Sequence, residues 1–182
     1  MKGVVFTEFL ELVEKQFGYE VLDRVTSLES LKGKGAYTAV GNYPHEDMLT
    51  MVDELSTAVD IPSEDLVRTF GMTLAGTFYK MHAVYFDNAK DSLDFLSGIE
   101  AVIHSDVRKL YPDAKLPNFA VTWEGDDTLI LDYSSGRPLA PLAEGAILAS
   151  IEHFNNDATL VCEPGPTGDA RSGRFILKRK KG

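Results

Sequence analysis

A change of hydrophobic period close to Pro112 constrains this chain more than any other feature. Upstream of it, apolar residues recur every three or four positions, the spacing of one helix face. Downstream, short apolar runs are bounded by turn residues, as in strands. Residues 4–17 put Val5, Phe9, Leu12 and Val13 on one face, with Phe6, Leu10 and Phe17 beside them and Glu8, Glu11, Glu14 and Lys15 opposite. Gly18 ends that helix. A short helix is expected over Val21 to Leu28, then a glycine-rich loop over 30–43. Next comes a helix opened by Pro44 with the stripe Met48, Val52, Leu55, Val59. Pro62 and Ser63 start the next one, whose stripe runs Leu66, Phe70, Leu74, Phe78, Met81. Gly71 and Gly76 inside it imply close packing or a bend, because glycine weakens a helix interior. Residues 91–111 read as one further helix, with Leu96, Ile99, Ile103, Val107 and Leu110 facing inward.

Beyond Pro112 and Pro117, Phe119–Glu124 and Thr128–Ser134 flank Gly125-Asp126-Asp127 and predict a hairpin. Helical spacing returns over 141–154, with Leu142, Ala146 and Ser150 on one line. Ala158 to Glu163 and Arg174 to Lys180 are the last two strands. Helices followed by strands indicate an α+β fold: a helical N-terminal part packed on a C-terminal part with a roughly four-stranded antiparallel sheet. A length of 182 residues suits one domain in two halves, about 1–65 and 66–182.

The net charge of -10 argues against nucleic acid and against an anionic membrane surface, which both need a basic face. The basic run Lys178–Lys181 reads as a solvated strand end. No stretch approaches the apolar length that spans a bilayer, and acidic residues break the N-terminus too early for a secretory leader, so a cytoplasmic protein is expected. Cys162 is the sole cysteine. That excludes an internal disulfide and a zinc site built from several thiolates, and a lone strand cysteine reads as packing.

Two groups of residues stand out. Of four histidines, His45, His82 and His153 occupy helix starts, ends or polar surroundings. His104 borders an apolar helix face near Leu93 and Val107, where a histidine is as a rule a satisfied polar group and in some proteins a ligand. The second group is Tyr133-Ser134-Ser135-Gly136-Arg137. In an extended strand Tyr133, Ser135 and Arg137 point to one side and present two hydroxyls and a guanidinium, a clamp for a carboxylate or phosphate. The same pattern also describes the solvent face of an edge strand. There is no His-x-x-x-His, no nucleophile elbow and no phosphate-cradling loop. The acidic pairs Asp53-Glu54 and Asp126-Asp127 read as solvation.

Together these residues resemble the heme nitric oxide/oxygen binding family, the H-NOX domains, over essentially the whole chain. The likeness is carried by Met1-Lys2-Gly3, Phe70-Gly71, Phe78, His104 with Lys109-Leu110-Tyr111-Pro112, Pro117-Asn118-Phe119, and Tyr133-x-Ser135-x-Arg137. The resemblance implies heme b as cofactor, His104 as the axial ligand of its iron, and Tyr133, Ser135 and Arg137 as holders of the propionates. Pro117 matches the family proline that presses on the macrocycle and bends it. Val5, Phe9, Leu74, Phe78, Leu142 and Ala146 match the distal pocket. Oxygen-holding members carry a tyrosine nine residues after the hallmark tyrosine, and here that position is Leu142.

The resemblance therefore implies a sensor of nitric oxide and carbon monoxide with no stable oxygen complex, and not an enzyme. Nitric oxide would weaken the bond to His104, free the 91–111 helix, and let the halves rotate with Gly71 as hinge. With no attached output domain expected, signalling would pass in trans to a histidine kinase or a cyclic-di-GMP enzyme. The alternatives are an oxygen sensor of the same fold, disfavoured by Leu142, a cofactor-free interaction module, and a heme enzyme, disfavoured by the lack of distal acid–base groups.

Overall fold

A computed structural model of the chain describes residues 1–180. Lys181, the last residue of the basic run, lies outside the described residues, as does the side chain of Leu110. The chain forms two compact units, Met1–Phe70 and Gly71–Gly182. Among the described residues no helix is long and apolar enough to cross a membrane.

The first unit is built from α1 (Gly3–Phe17), α2 (Tyr19–Thr26), α3 (His45–Val59) and the first turns of α4 (Ser63–Met81). The expected stripe of α1 is buried at Phe9, Leu12 and Val13, with Phe6 as well, and α3 buries Met48, Met51, Val52 and Leu55. Phe9 meets Phe70 edge-on at 5.3 Å. The segment expected as a loop has no regular structure, yet it is tied down by Asp47. This buried carboxylate accepts from the backbone N–H of Lys32 at 3.0 Å and of Gly33 at 2.7 Å, and from the Tyr37 hydroxyl at 3.0 Å. Tyr37 in turn stacks on Phe6 at 4.4 Å. Burial, and then the bond to Asp47, push its phenol far above the ordinary value.

The second unit contains the rest of α4, then α5 (Ala83–Asp87), α6 (Ser92–Ser97), a π-helical segment (Ile99–His104), α7 (Ser105–Leu110), β1 (Asn118–Glu124), β2 (Thr128–Ser134), α8 (Ala140–His153), β3 (Ala158–Pro164) and β4 (Ser172–Arg179). All pairings are antiparallel, in the order β1-β2-β4-β3. Phe119 pairs with Tyr133, Leu131 with Phe175 and Leu129 with Leu177. Those positions alternate along their strands, so one sheet face is solidly apolar and buried. Ile147 and Ile151 of α8 and Leu93, Phe95 and Leu96 of α6 belong to the same core. The start of α6 is pinned by Asp157, which accepts from the Ser92 N–H at 2.8 Å and its hydroxyl at 2.6 Å.

Several sequence expectations change here. The single helix expected over 91–111 is three pieces: α6, the π-helical segment and α7. A π turn inserts an extra residue and resets the phase of everything after it, which a fixed 3.6-residue period cannot represent. Ile99, Ile103 and Val107 are accordingly half-buried, and Leu93 and Phe95 carry the core contact beside Leu96. The five-residue α5 was not anticipated, being too short to show a period. At the far end of the α4 stripe, Phe78 and Met81 are exposed. Strand β2 lies inside the sheet, not at its edge. Cys162 is exposed on the edge strand β3 rather than packed inside.

The two α4 glycines differ. A Cβ on Gly71 would run into the carbonyl of Leu142 in α8, whereas a Cβ on Gly76 would meet nothing within 4 Å. Gly71→Ala should therefore lower stability by about 1–3 kcal/mol through overpacking. Gly76→Ala should raise it by up to about 1 kcal/mol through helix propensity. Thermal unfolding of both variants checks the opposite signs.

Candidate functional site

His104 ends the π-helical segment and is buried. Its Nδ1 lies 2.7 Å from Oε1 of Glu100, one helical turn earlier. Oε1 also accepts from the backbone N–H of Phe119 at 3.1 Å, and Oε2 accepts from Nη2 of Arg108 at 3.0 Å. Burial pushes the Glu100 carboxyl upward, but the bonds from His104, Arg108 and Phe119 outweigh it and hold the group below its ordinary range. Glu100 is thus an anion at neutral pH and can only accept. The proton of a neutral His104 must then sit on Nδ1, which leaves the lone pair on Nε2 for a metal.

The bond to Phe119 ties the segment that carries His104 to the start of β1. The His104 and Phe119 rings have centroids 5.9 Å apart, and Phe119 is 5.3 Å from Tyr133 across the β1–β2 pair. Pro117, half-buried, immediately precedes β1. His104, Pro117, Phe119 and Tyr133 are therefore gathered within one unit by a helix end and two paired strands.

The row Tyr133, Ser135, Arg137 is not one flat strand. β2 stops at Ser134, and the Ser135 N–H still donates to the Arg171 carbonyl at 2.8 Å. The chain then turns at Gly136, where the Arg137 N–H donates to the Ser135 hydroxyl oxygen at 3.1 Å. Pro138 follows and has no N–H to continue a ladder. Arg137 reaches the Lys115 carbonyl through Nη1 at 3.0 Å. Tyr133 is buried, which raises its phenol above the ordinary value, while the Ser135 hydroxyl and the Arg137 charge pull it back. The three side chains form one electrostatic group although the backbone that carries them bends.

The remaining pocket candidates fall in both units. Val5 and Phe9 lie on α1 of the first, Val5 half-buried and Phe9 fully buried. In the second, Leu74 is buried and Phe78 exposed on α4, and Leu142 and Ala146 are half-buried on α8. The other histidines make no comparable arrangement. His153 is exposed with its ring 4.1 Å from Tyr79, His45 neighbours Glu46, and His82 precedes α5. Sequence reasoning passed over Glu100 and Arg108. Their signal was in the spacing, since Glu100, His104 and Arg108 stand at i, i+4 and i+8.

These residues suit a heme. Among the described residues no group of three or more His, Cys, Asp or Glu could hold a metal ion; in a heme the macrocycle supplies the other iron ligands, and one histidine suffices from the protein. A neutral imidazole with its lone pair on Nε2 is the form that ligates. Two hydroxyls and a guanidinium match carboxylate side arms.

The family model described as Haem-NO-binding matches residues 2–162. Solved structures agree over the full length. The unliganded Fe(II) H-NOX protein from K. algicida is 33% identical, with a TM-score of 0.92, covering 100% of this chain and 98% of that one. The H-NOX from Shewanella woodyi, bound to IWP-051 in the Fe(II)CO ligation state, is 39% identical, with a TM-score of 0.82, covering 99% of this chain and 95% of that one. The H-NOX protein from S. oneidensis in the Fe(II)NO ligation state is 25% identical, with a TM-score of 0.88, covering 100% of each chain. A search of curated proteins returned no match. Heme is the cofactor of this family, whose solved members include NO-bound and CO-bound states. By sequence and fold together, this chain belongs to the Haem-NO-binding, or H-NOX, family.

Proposed function

We propose that this chain is a sensor of nitric oxide, and also binds carbon monoxide, at a ferrous heme held by His104. The observation that carries this reading is the Glu100-held imidazole, whose Nδ1 is engaged at 2.7 Å while Nε2 is left for a ligand bond. The heme supplies a ferrous iron that binds a diatomic gas. The protein's own residues do the rest. His104 would offer its Nε2 lone pair to the iron, Tyr133, Ser135 and Arg137 would hold the propionates, and Pro117, just before β1, would press on the macrocycle.

Val5 and Phe9 of the first unit and Leu74, Phe78, Leu142 and Ala146 of the second are the gas-side candidates that the family likeness implies. None of the six carries a hydrogen-bond donor on its side chain. Bound oxygen carries partial negative charge and depends on such a donor, whereas nitric oxide does not, so the apolar set favours nitric oxide and carbon monoxide. The NO-bound and CO-bound states of the S. oneidensis and S. woodyi relatives support the same choice of gases.

Signalling passes to a separate protein, such as a histidine kinase or a cyclic-di-GMP enzyme, in the cytoplasm. Family likeness supports this step, and co-purification with candidate partners tests it. The absence of side-chain acid–base groups among the six candidate residues supports a sensor over an enzyme. Heme as the family's cofactor also sets aside the reading of a cofactor-free interaction module.

The ferrous protein should show a strong Soret band that shifts with nitric oxide and with carbon monoxide and does not change on brief aeration. A persistent oxygen complex would refute the assignment of gases. His104→Gly should lose nearly all heme uptake and regain it when imidazole is added, read by the Soret absorbance. Leu142→Tyr places a donor on the gas side, and aeration of that variant should yield a lasting oxygen complex.

A further inference from the structure

We propose that Glu100 is a positioning residue that sets how firmly His104 holds the heme iron, with Arg108 as its opponent; this rests on the reading of His104 as the axial ligand. The carboxylate does more than choose a tautomer. A charged acceptor on Nδ1–H draws the proton away from the ring and makes Nε2 a stronger donor. Glu100 is partly withdrawn from solvent, with its side chain 21% exposed, and His104 is at 11%, so the effect acts in a medium that screens it weakly.

The other two contacts of the same carboxylate work against that pull. Arg108 occupies Oε2 at 3.0 Å and the Phe119 N–H shares Oε1 at 3.1 Å, so both withdraw electron density from the acceptor that faces His104. Arg108 is the adjustable partner. Its side chain is 48% exposed at the end of the row, where solvent or another molecule can compete for its guanidinium. Phe119 is backbone and constant. Glu100 strengthens the tether, Arg108 loosens it, and the balance sets how readily gas binding on the far side releases His104. The arrangement also has a mechanical side, because the carboxylate that grips the imidazole is bonded to the first residues of β1.

The test compares full-length wild type, Glu100→Gln and Arg108→Gln, each reconstituted with hemin and reduced. Three quantities are read: the iron–histidine stretching frequency, the five-coordinate share after nitric oxide is added, and the rate of hemin loss to an acceptor protein. Glu100→Gln keeps the shape and removes the charge. It should lower the frequency, raise the five-coordinate share and speed hemin loss by about 10–100-fold. Arg108→Gln should move the frequency and the five-coordinate share in the opposite directions.

A purely structural role for Glu100 would lower the unfolding temperature and leave the frequency where it is, and that result overturns the proposal. So does any pair of variants whose frequencies fail to move in opposite directions. If Glu100→Gln does not fold, Arg108→Gln decides alone, because Arg108 is exposed and a frequency equal to or below wild type refutes the inference. A wild type that takes up no hemin overturns the heme reading and this inference together. A loaded wild type with unmoved variants overturns this inference only.

Discussion

One carboxylate joins the two structural languages of the second unit. Glu100 accepts from the imidazole of His104, from the guanidinium of Arg108 and from the backbone of Phe119. Helix and sheet are thereby locked at the residue that would carry the iron. A half-buried anion with three donors is an economical anchor, since its desolvation cost is offset by charge-assisted bonds and each donor is oriented in return. Without it, the histidine would sit at a core border with either nitrogen free to carry the proton.

The sheet supplies the other half of the site. Register sets Phe119 opposite Tyr133 and Leu131 opposite Phe175, so the face that begins at His104 continues as an apolar surface into the core. Tyr133 ends that surface with a hydroxyl close to the Ser135–Arg137 turn. This polar group thus sits at the rim of an apolar face. A heme, with its apolar ring and charged side arms, would suit such a distribution. The break after Ser134 matters here, because a straight strand could not have returned Arg137 toward Lys115.

Much of this was legible in the residues. The stripes of α1, α3 and the first part of α4 were readable because burial on one side of a helix imposes its period on the chain. The hairpin around Gly125 was readable because turn chemistry is local, and Gly125 has the positive φ that the turn needs. The π-helical segment was not readable, since one extra residue in a turn leaves no compositional mark. Asp47 and Asp157 were missed for a related reason. An aspartate at a helix start or in a loop has an ordinary local appearance, and only partners 14–15 and 65 positions away reveal it as a buried anchor.

The sequence by itself determined most of the elements and the faces they bury. These follow from periodicity, turn chemistry and residue type, all of which act over a few neighbouring positions; the residues that would serve a heme came from the likeness to the H-NOX family. Tertiary structure decided which nitrogen of His104 meets Glu100, what holds that ring, and how Tyr133, Ser135 and Arg137 are grouped across a bend. Those outcomes depend on contacts between an ionised carboxylate, a strand end and a helix end. Such contacts exist only after the chain has closed on itself, because the energy of a hydrogen bond depends on distance and direction and not on position along the chain.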